Sequence, residues 1–276
     1  SSLYFSEIIR GICNYVNQFG FQIIIGSAHD EEEELKTASR FLNGRTVDGL
    51  VMMAPSLTNE ELFNIPINHN TPVVFISVPP EKAGMTTVVL DNFNSAIKMT
   101  QHLIKLGHRR IAFIHGSPHN YDSKRRYAGY LKALNDGGIN KSLTLEVEGN
   151  FTEDSGYKAC LSLLQKDPRP TAVFAANDGM AIGAIEAVKD SGLRVPEDIA
   201  IVGFDDISTS QYITPALTTV RVPLYKMGQL VGKTLIQKIN SDSTEQLTVA
   251  ERIVIPLELI IRESCGAKLK RHIITL

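Results

Sequence analysis

The chain has 276 residues, of which 43% are hydrophobic and 21% are charged, and its formal net charge is -2. This composition fits one large or two medium α/β domains of a soluble globular protein. The near-neutral charge gives the chain as a whole no electrostatic basis for gripping nucleic acid. No apolar run approaches the roughly 18 residues of a membrane helix, so we expect no membrane contact.

The three cysteines lie far apart and include no CxxC pair. This count argues against a disulfide framework and against a thiolate metal site, and it suits a reducing cytoplasm.

The first part of the chain alternates helical and extended patterns. Apolar residues recur at helical spacing in residues 3–19, and Gly20 ends that helix. The continuous apolar run at residues 21–25 predicts a buried strand. Acidic residues 30–34 predict the start of a second helix, because carboxylates favour the positive end of a helix dipole. We also predict a short helix near residues 59–63 and strands at residues 48–54, 72–76 and 87–90.

A second series begins with a predicted helix over residues 94–106, which Gly107 closes. Strands then alternate with helices, and this alternation predicts parallel sheets built from βαβ units. The predicted strands are residues 111–114, 145–147, 172–175 and 199–202. The predicted helices span residues 123–135, a segment ending at 164, residues 178–191 and residues 225–239, and residues 253–261 form a final extended stretch.

So many strands divide better into two sheets than into one. We predict an N-terminal lobe of residues 1–90 and 224–246, a C-terminal lobe of residues 91–223 and 247–263, and a tail of residues 264–276. Two lobes joined by several crossings form a cleft, which is a common place for a small-molecule site.

Catalytic signatures are mostly missing. The sequence contains no GxGxxG, no GxxxxGK[ST], no HExxH and no GxSxG motif. His102 and His108 stand six residues apart, which does not place two metal ligands on one helix face. We therefore predict no catalytic residue, no metal and no cofactor.

Asp205 follows the buried apolar run at residues 199–202. In open α/β sheets, ligands bind beyond the carboxyl ends of the strands, so Asp205 is a candidate ligand contact. An aspartate after a strand can equally cap the element that follows.

Polar or aromatic residues recur at the predicted strand ends. Carboxylates and amides exchange paired hydrogen bonds, arginine supplies a planar fork, and an aromatic ring covers an apolar face. This mixture suits a polyol or a nucleobase. The candidates are Ser77, Asn120, Arg126, Phe151, Asn177 and Asp205.

Several longer segments carry a family resemblance. They include Tyr4-Phe-Ser-Glu-Ile-Ile-Arg-Gly11, Val47-Asp-Gly-Leu50, His102-Leu-Ile-Lys-Leu-Gly-His-Arg-Arg-Ile-Ala-Phe-Ile114, Ala176-Asn-Asp-Gly-Met-Ala181, Val202-Gly-Phe-Asp-Asp206 and Pro215-Ala-Leu-Thr-Thr-Val220. In these segments, and in this order, the chain resembles the ligand-binding core of the LacI/GalR family of bacterial transcription regulators. The resemblance covers nearly the whole chain.

The resemblance implies two flavodoxin-like, periplasmic-binding-protein-like lobes that close on a small effector. It implies that Tyr4 and Phe5 line the pocket from the N-terminal lobe, and that Arg126 and Asp205 hydrogen-bond the effector. The remaining site residues that it implies are Ser77 at a strand end, Phe151 stacking on the effector, Asn177 closing the polar ring, and Ser56 and Asn120 as further candidates.

The resemblance also implies a cytoplasmic homodimer that controls operator DNA. The family's helix-turn-helix, and the first strand of the N-terminal lobe, are expected upstream of Ser1. The effector is expected to be a sugar, a sugar phosphate or a purine, and some family members respond instead to a phosphorylated carrier protein. Val222 stands where some relatives carry a polar contact, which weakens any transfer of their sugar specificity.

Two other functions are compatible with the same fold. One is a periplasmic sugar-binding protein, and the other is an α/β enzyme acting on a sugar or a nucleoside.

Overall fold

Apolar segments rich in valine, isoleucine and phenylalanine form the strands of two parallel sheets. The computed structural model describes residues 2–28, 30–43, 46–53, 71–78, 85–140, 145–241 and 250–267. Its helices are α1 (Ser2–Val16), α2 (Glu31–Asn43), α3 (Asn92–Lys105), α4 (Tyr121–Asp136), α5 (Glu153–Leu164), α6 (Asp178–Asp190) and α7 (Leu224–Asn240). Its strands are β1 (Leu50–Met52), β2 (Val73–Ile76), β3 (Thr86–Leu90), β4 (Ile111–Ile114), β5 (Leu145–Val147), β6 (Ala172–Ala175), β7 (Ala200–Val202), β8 (Thr219–Arg221), β9 (Glu251–Ile255) and β10 (Glu258–Ile260).

The chain divides into two compact units. The smaller unit holds Ser2–Leu90 and Pro223–Pro256, and the larger unit holds Asp91–Val222 together with the chain from Leu257 onward. The predicted α/β class with parallel sheets flanked by helices is confirmed. The division itself differs from the prediction in two places. The last crossing lies after Pro256 instead of near residue 246. Ser264 and Cys265, which we assigned to the tail, are buried in the larger unit, where Ser264 hydrogen-bonds to Thr218 and Ile201.

The first difference arises in the last extended stretch, residues 253–261, which we predicted as a single element. The stretch is two strands: β9 pairs with β3 in the smaller unit, and β10 pairs antiparallel with β8 in the larger unit. Pro256 lies between them, and a proline cannot donate a ladder hydrogen bond. The pairing with β3 therefore ends before Pro256, and the chain enters the larger unit after it.

The smaller unit is a parallel sheet in the order β1-β2-β3-β9. Its centre is apolar, with Val74, Phe75, Val88 and Val89 fully buried. Helix α1 packs directly against α7.

The prediction of a buried strand at residues 21–25 is wrong. Residues 21–28 have no regular structure, and Ile24 and Ile25 are 66% and 64% exposed. These residues and β1 line an apolar cavity of about 650 Å³ inside the smaller unit. A strand needs a hydrogen-bonded neighbour, and among the described residues β1 pairs only with β2. The apolar composition of the segment was therefore not enough to make it a strand.

The larger unit is a parallel sheet in the order β5-β4-β6-β7. Every residue of β4, β6 and β7 is buried. Phe113 packs 5.3 Å from Phe174 and 5.1 Å from Tyr130, measured between ring centroids. Because the strands are parallel, their carboxyl ends lie along one edge of the sheet, and this edge carries the candidate site.

Three predictions lie outside the described residues. They are Ser56 as a site residue, the helix at residues 59–63, and residues 268–276 of the tail. Among the described residues, no helix has the length and hydrophobicity to cross a membrane.

Candidate functional site

Arg126 is the centre of a buried polar network in the larger unit. It lies on α4 and is only 3% exposed. Its Nε donates to Oδ1 of Asn92 (2.9 Å), and its Nη1 donates to the carbonyl oxygen of Ala176 at the end of β6 (2.6 Å). Its guanidinium carbon lies 3.8 Å from the ring centre of Phe204, a cation–π distance. These contacts fix the guanidinium in one orientation beside the strand ends.

Asp205 faces this guanidinium from the end of β7. It is 8% exposed, and its Oδ1 lies 3.2 Å from Nη2 of Arg126. The distance is that of an ion pair, but no well-aligned hydrogen bond reaches this oxygen from the described residues. Burial raises the pKa of Asp205 to about 7, against the opposing charge of Arg126, and the charges of Asp178 and Asp122 raise it further. Asp205 is thus a buried carboxyl that has an unused acceptor and titrates near neutral pH.

The network continues behind Arg126. Nδ2 of Asn92 donates to Oδ1 of Asp122 over 2.7 Å, and both residues are buried. Asn92 is the first residue of α3, and Asp122 lies in the first turn of α4. Residues in the N-terminal turns of α3 and α4 therefore hold the side chain of Arg126 in place.

Asn177 and Asn120 both serve as helix N-caps. Oδ1 of Asn177 accepts from the amide of Met180 (2.9 Å), and Oδ1 of Asn120 accepts from the amide of Ser123 (2.9 Å). The side chain of Asn177 also donates to the carbonyl oxygen of Phe151 (3.1 Å). The two asparagines thus cap helices at the strand ends where we predicted ligand contacts.

Phe151 has a positive φ of 68° and is half-buried. Its ring packs on Gly116 so closely that a Cβ at that glycine would overlap it. The ring is therefore set at the end of β4, near the predicted ligand-binding edge of the sheet.

Known proteins resemble the chain over most of its length. The profile of the periplasmic binding protein-like domain matches residues 100–265. The HTH-type transcriptional repressor PurR of Erwinia tasmaniensis is 36% identical over 247 residues, which are 89% of this chain and 72% of that protein.

Two solved structures share the fold. The transcriptional regulator CelR in complex with cellobiose is 32% identical, with a TM-score of 0.82 over 95% of this chain and 79% of that one. A LacI family transcriptional regulator from Enterococcus faecium with bound ribose is 26% identical, with a TM-score of 0.82 over 95% of this chain and 93% of that one. The chain belongs to the LacI family of transcriptional regulators. The resemblance drawn from its motifs is confirmed, and the chain is a ligand-binding core of that family and not an enzyme.

The larger unit of this LacI-family core brings together four of the predicted site residues. Arg126 contacts Asp205, and Asn177 contacts Phe151. Tyr4, Phe5 and Ser77 belong to the smaller unit. No observation tests the binding roles of any of these residues, which stay predictions.

Within the smaller unit, the rings of Tyr4 and Phe5 meet edge to face with centroids 5.5 Å apart. Phe5 also lines the cavity beside residues 21–28. Ser77 follows β2 with a φ of 58°, and its amide donates to the carbonyl oxygen of Val88 (3.0 Å).

Sequence reasoning gave no role to Asn92, Asp122, Asp178 or Phe204, which all touch or support the pair of Arg126 and Asp205. Asp178 and Phe204 lie inside motifs that we used for the family resemblance, so their place beside a strand end was a signal that could have found them. Asn92 and Asp122 look like ordinary residues in the first turn of a helix, and their burial comes only from the fold. No cluster of side chains in the described part of the chain could hold a metal ion.

Proposed function

We propose that the chain is the effector-binding core of a cytoplasmic LacI-type repressor, and that Arg126 and Asp205 bind the hydroxyl groups of a sugar or a sugar derivative. The observation that carries this proposal is the buried Oδ1 of Asp205, which lies beside Arg126 with no aligned donor from the described residues. A buried acceptor without a donor costs about 1–3 kcal/mol, so a ligand hydroxyl at this position would gain that much.

The chemistry of the pair suits a polyol. An ionised carboxylate accepts hydrogen bonds from neighbouring hydroxyls, and a guanidinium donates to their oxygens. Arg126 donates its Nε hydrogen and one Nη1 hydrogen to the protein, and its Nη2 faces Asp205, so a ligand hydroxyl would share the Nη2 hydrogens and the carboxylate of this pair. The half-buried ring of Phe151 offers an apolar surface for the carbon face of a sugar.

Two solved relatives favour this choice, because one binds ribose and the other cellobiose. Asp205, rather than Asn177 or Asn120, is the residue on which we base the choice. The two asparagines already use their side-chain oxygens as helix caps.

We further propose that effector binding shifts the equilibrium between two arrangements of a homodimer and so changes its affinity for operator DNA. A ligand shifts such an equilibrium only by its difference in affinity for the two arrangements. Family membership supports this part of the proposal. The dimer is tested by light scattering of the purified protein, and a monomer at all accessible concentrations would contradict it.

The effector is tested by a thermal-shift screen over pentoses, hexoses, disaccharides, sugar phosphates and purines, since a ligand that binds the folded state raises the melting temperature. Hits are measured by calorimetry on the wild type and on Asp205→Asn, in which we expect a loss of about 1–3 kcal/mol of binding free energy. Asp136→Asn is the matched control, because Asp136 forms an exposed ion pair with Lys132 at the C-terminal end of α4, whereas Asp122 and Arg126 lie near its N-terminal end. Equal affinity in the wild type and Asp205→Asn would remove Asp205 from the site.

A further inference from the structure

The turn after β7 is strained. Asp205 and Asp206 have φ values of 118° and 57°, in the region that favours glycine. Such conformations are unfavourable for residues other than glycine and persist only where surrounding contacts hold them. The backbone of Asp205 is held on one side by β8 and its continuation, through bonds to Val220 (2.8 Å) and Val222 (3.2 Å).

Asp178 holds the turn from the other side. This aspartate is fully buried at the start of α6. Its Oδ2 accepts from the amide of Ile207 (3.0 Å) and from the hydroxyl of Ser210 (2.6 Å). Its own amide donates to the carbonyl oxygen of Phe204 (2.7 Å). The bonded residues Phe204 and Ile207 lie immediately on either side of Asp205 and Asp206, so one residue clamps both ends of the strained turn.

Two further features fit the carboxylate into this place. A Cβ at Gly203 would overlap Oδ1 of Asp178, so the glycine leaves the space that the carboxylate fills. The same oxygen accepts from the hydroxyl of Thr219 on β8. The position at the beginning of α6 also favours a negative charge.

We propose that Asp178 is a positioning residue that holds the turn carrying Asp205 and so sets how Asp205 meets the effector. The inference rests on the proposed effector role of Asp205. Asp178 itself is fully buried and uses its oxygens on Ile207, Ser210 and Thr219, so it acts through the turn and not by touching the effector.

Asp178 and Asp205 are also coupled by charge. Burial raises the pKa of Asp178 to about 6, although hydrogen bonds from Ser210, Thr219 and Ile207 oppose this shift. The charged groups that act on Asp205 are Arg126, Asp178 and Asp122, and the negative charge of Asp178 raises the pKa of Asp205. Removing that charge should therefore lower the pH at which Asp205 titrates.

The test uses the whole chain without any effector. It can therefore be carried out and interpreted even if the effector screen finds no ligand. In Asp178→Asn, we follow the carboxyl carbon of Asp205 by NMR over a pH series, assigning its signal with Asp205→Asn. We expect its titration midpoint to move down by about 0.5–1 pH unit. We also expect the amides of Asp205 and Ile207 to exchange with solvent at least about tenfold faster, while the amide of Phe113 in β4 is unchanged.

Thr219→Val is the matched control, because it removes one hydrogen bond to Asp178 but keeps the charge and both contacts to the turn. It should leave the Asp205 midpoint and the Ile207 exchange as in the wild type. An Asp178→Asn protein with an unchanged midpoint and unchanged exchange would overturn the proposal.

If Asp178→Asn does not fold, Ser210→Ala takes its place, because it removes the hydrogen bond from the Ser210 hydroxyl to Oδ2 of Asp178. Faster exchange at Ile207 in Ser210→Ala, but not in Thr219→Val, would support the clamp. Equal exchange of the Ile207 amide in Ser210→Ala and in the wild type would contradict the proposal.

Discussion

The two units of the molecule use the same kind of parallel sheet but bury it differently. In the larger unit, β4, β6 and β7 are buried along their whole length. In the smaller unit, β1 is only partly buried, and Ile24 and Ile25 are exposed beside an apolar cavity of about 650 Å³. The difference shows that apolar composition does not bury a segment unless a neighbouring element also pairs and covers it.

The smaller unit has its tightest packing elsewhere, where α1 meets α7. A Cβ at Gly11 would overlap the carbonyl oxygen of Tyr225, and a Cβ at Gly228 would overlap the carbonyl oxygen of Ile8. The two helices thus approach backbone to backbone. We expect the smaller unit to depend on this helix contact, and the larger unit to depend on its sheet.

The largest effect is expected in the core of the larger unit. Phe174 is fully buried on β6 and packs against Phe113, so Phe174→Ala should lower the free energy of unfolding of this unit by about 3–5 kcal/mol. Hydrogen exchange of the β4 and β6 amides measures the loss. Tyr212→Ala is the control, because Tyr212 lies in the same unit and is 79% exposed, so its loss should cost below about 1 kcal/mol. Equal costs for the two variants would mean that the buried core of β4 and β6 does not stabilise the larger unit.

A smaller loss is expected at the helix contact of the smaller unit. Gly228→Ala should lower the free energy of unfolding of this unit by about 1–3 kcal/mol, because the new methyl group pushes α7 away from the backbone of α1. This cost exceeds the gain of about 1 kcal/mol that alanine brings inside a helix. Hydrogen exchange of the α7 amides reports the change.

The same substitution one turn further along α7 gives a matched control. At Gly232 the nearest atom to an added Cβ lies at 3.3 Å and belongs to a side chain, so Gly232→Ala should leave the α7 amides at least as protected as in the wild type. Stabilisation of the smaller unit by Gly228→Ala would mean that the helices do not approach this closely in solution.

Local sequence signals predicted much of the fold. Gly20 and Gly107 follow helices and have positive φ values, as their positions after helical patterns indicated. The two sheets followed from strands alternating with helices. The strand at residues 21–25 was wrong because an apolar run does not reveal whether a partner strand lies beside it.

The candidate site could be predicted only in part. A strand end and the family resemblance both predicted Arg126 and Asp205 as site residues, and the two side chains do lie together. The same signals marked Asn177 and Asn120, whose oxygens cap helices, since a cap and a ligand contact look alike in sequence. Asn92 was missed because its bond to Arg126 joins residues far apart in the chain, which no local pattern records.

A pH effect should separate the larger unit from the smaller one. Burial, and then the charge of Lys105, lower the pKa of His102 below its ordinary value of 6.5. As the pH falls below 6.5, the unfolded chain binds a proton that the folded unit does not, so the free energy of unfolding should fall until the lowered pKa is passed. Denaturant unfolding from pH 7.5 to pH 5 measures this slope.

In His102→Gln this part of the slope should disappear, because the side chain no longer titrates. His119→Gln is the control, since His119 lies in an exposed loop, and it should keep the slope of the wild type. If the free energy of unfolding depends on pH in the same way in all three proteins, His102 does not contribute to that dependence.

The smallest effect is expected at the exposed isoleucines of the smaller unit, and it tests the comparison most directly. Ile24 is 66% exposed, so Ile24→Ser should change the free energy of unfolding by no more than about 0.5 kcal/mol, as measured by denaturant unfolding. A buried isoleucine in β4, such as Ile114, should cost several kcal/mol on the same change. A cost above about 2 kcal/mol for Ile24→Ser would mean that the cavity beside residues 21–28 is covered in solution, and the two units would then bury their sheets alike.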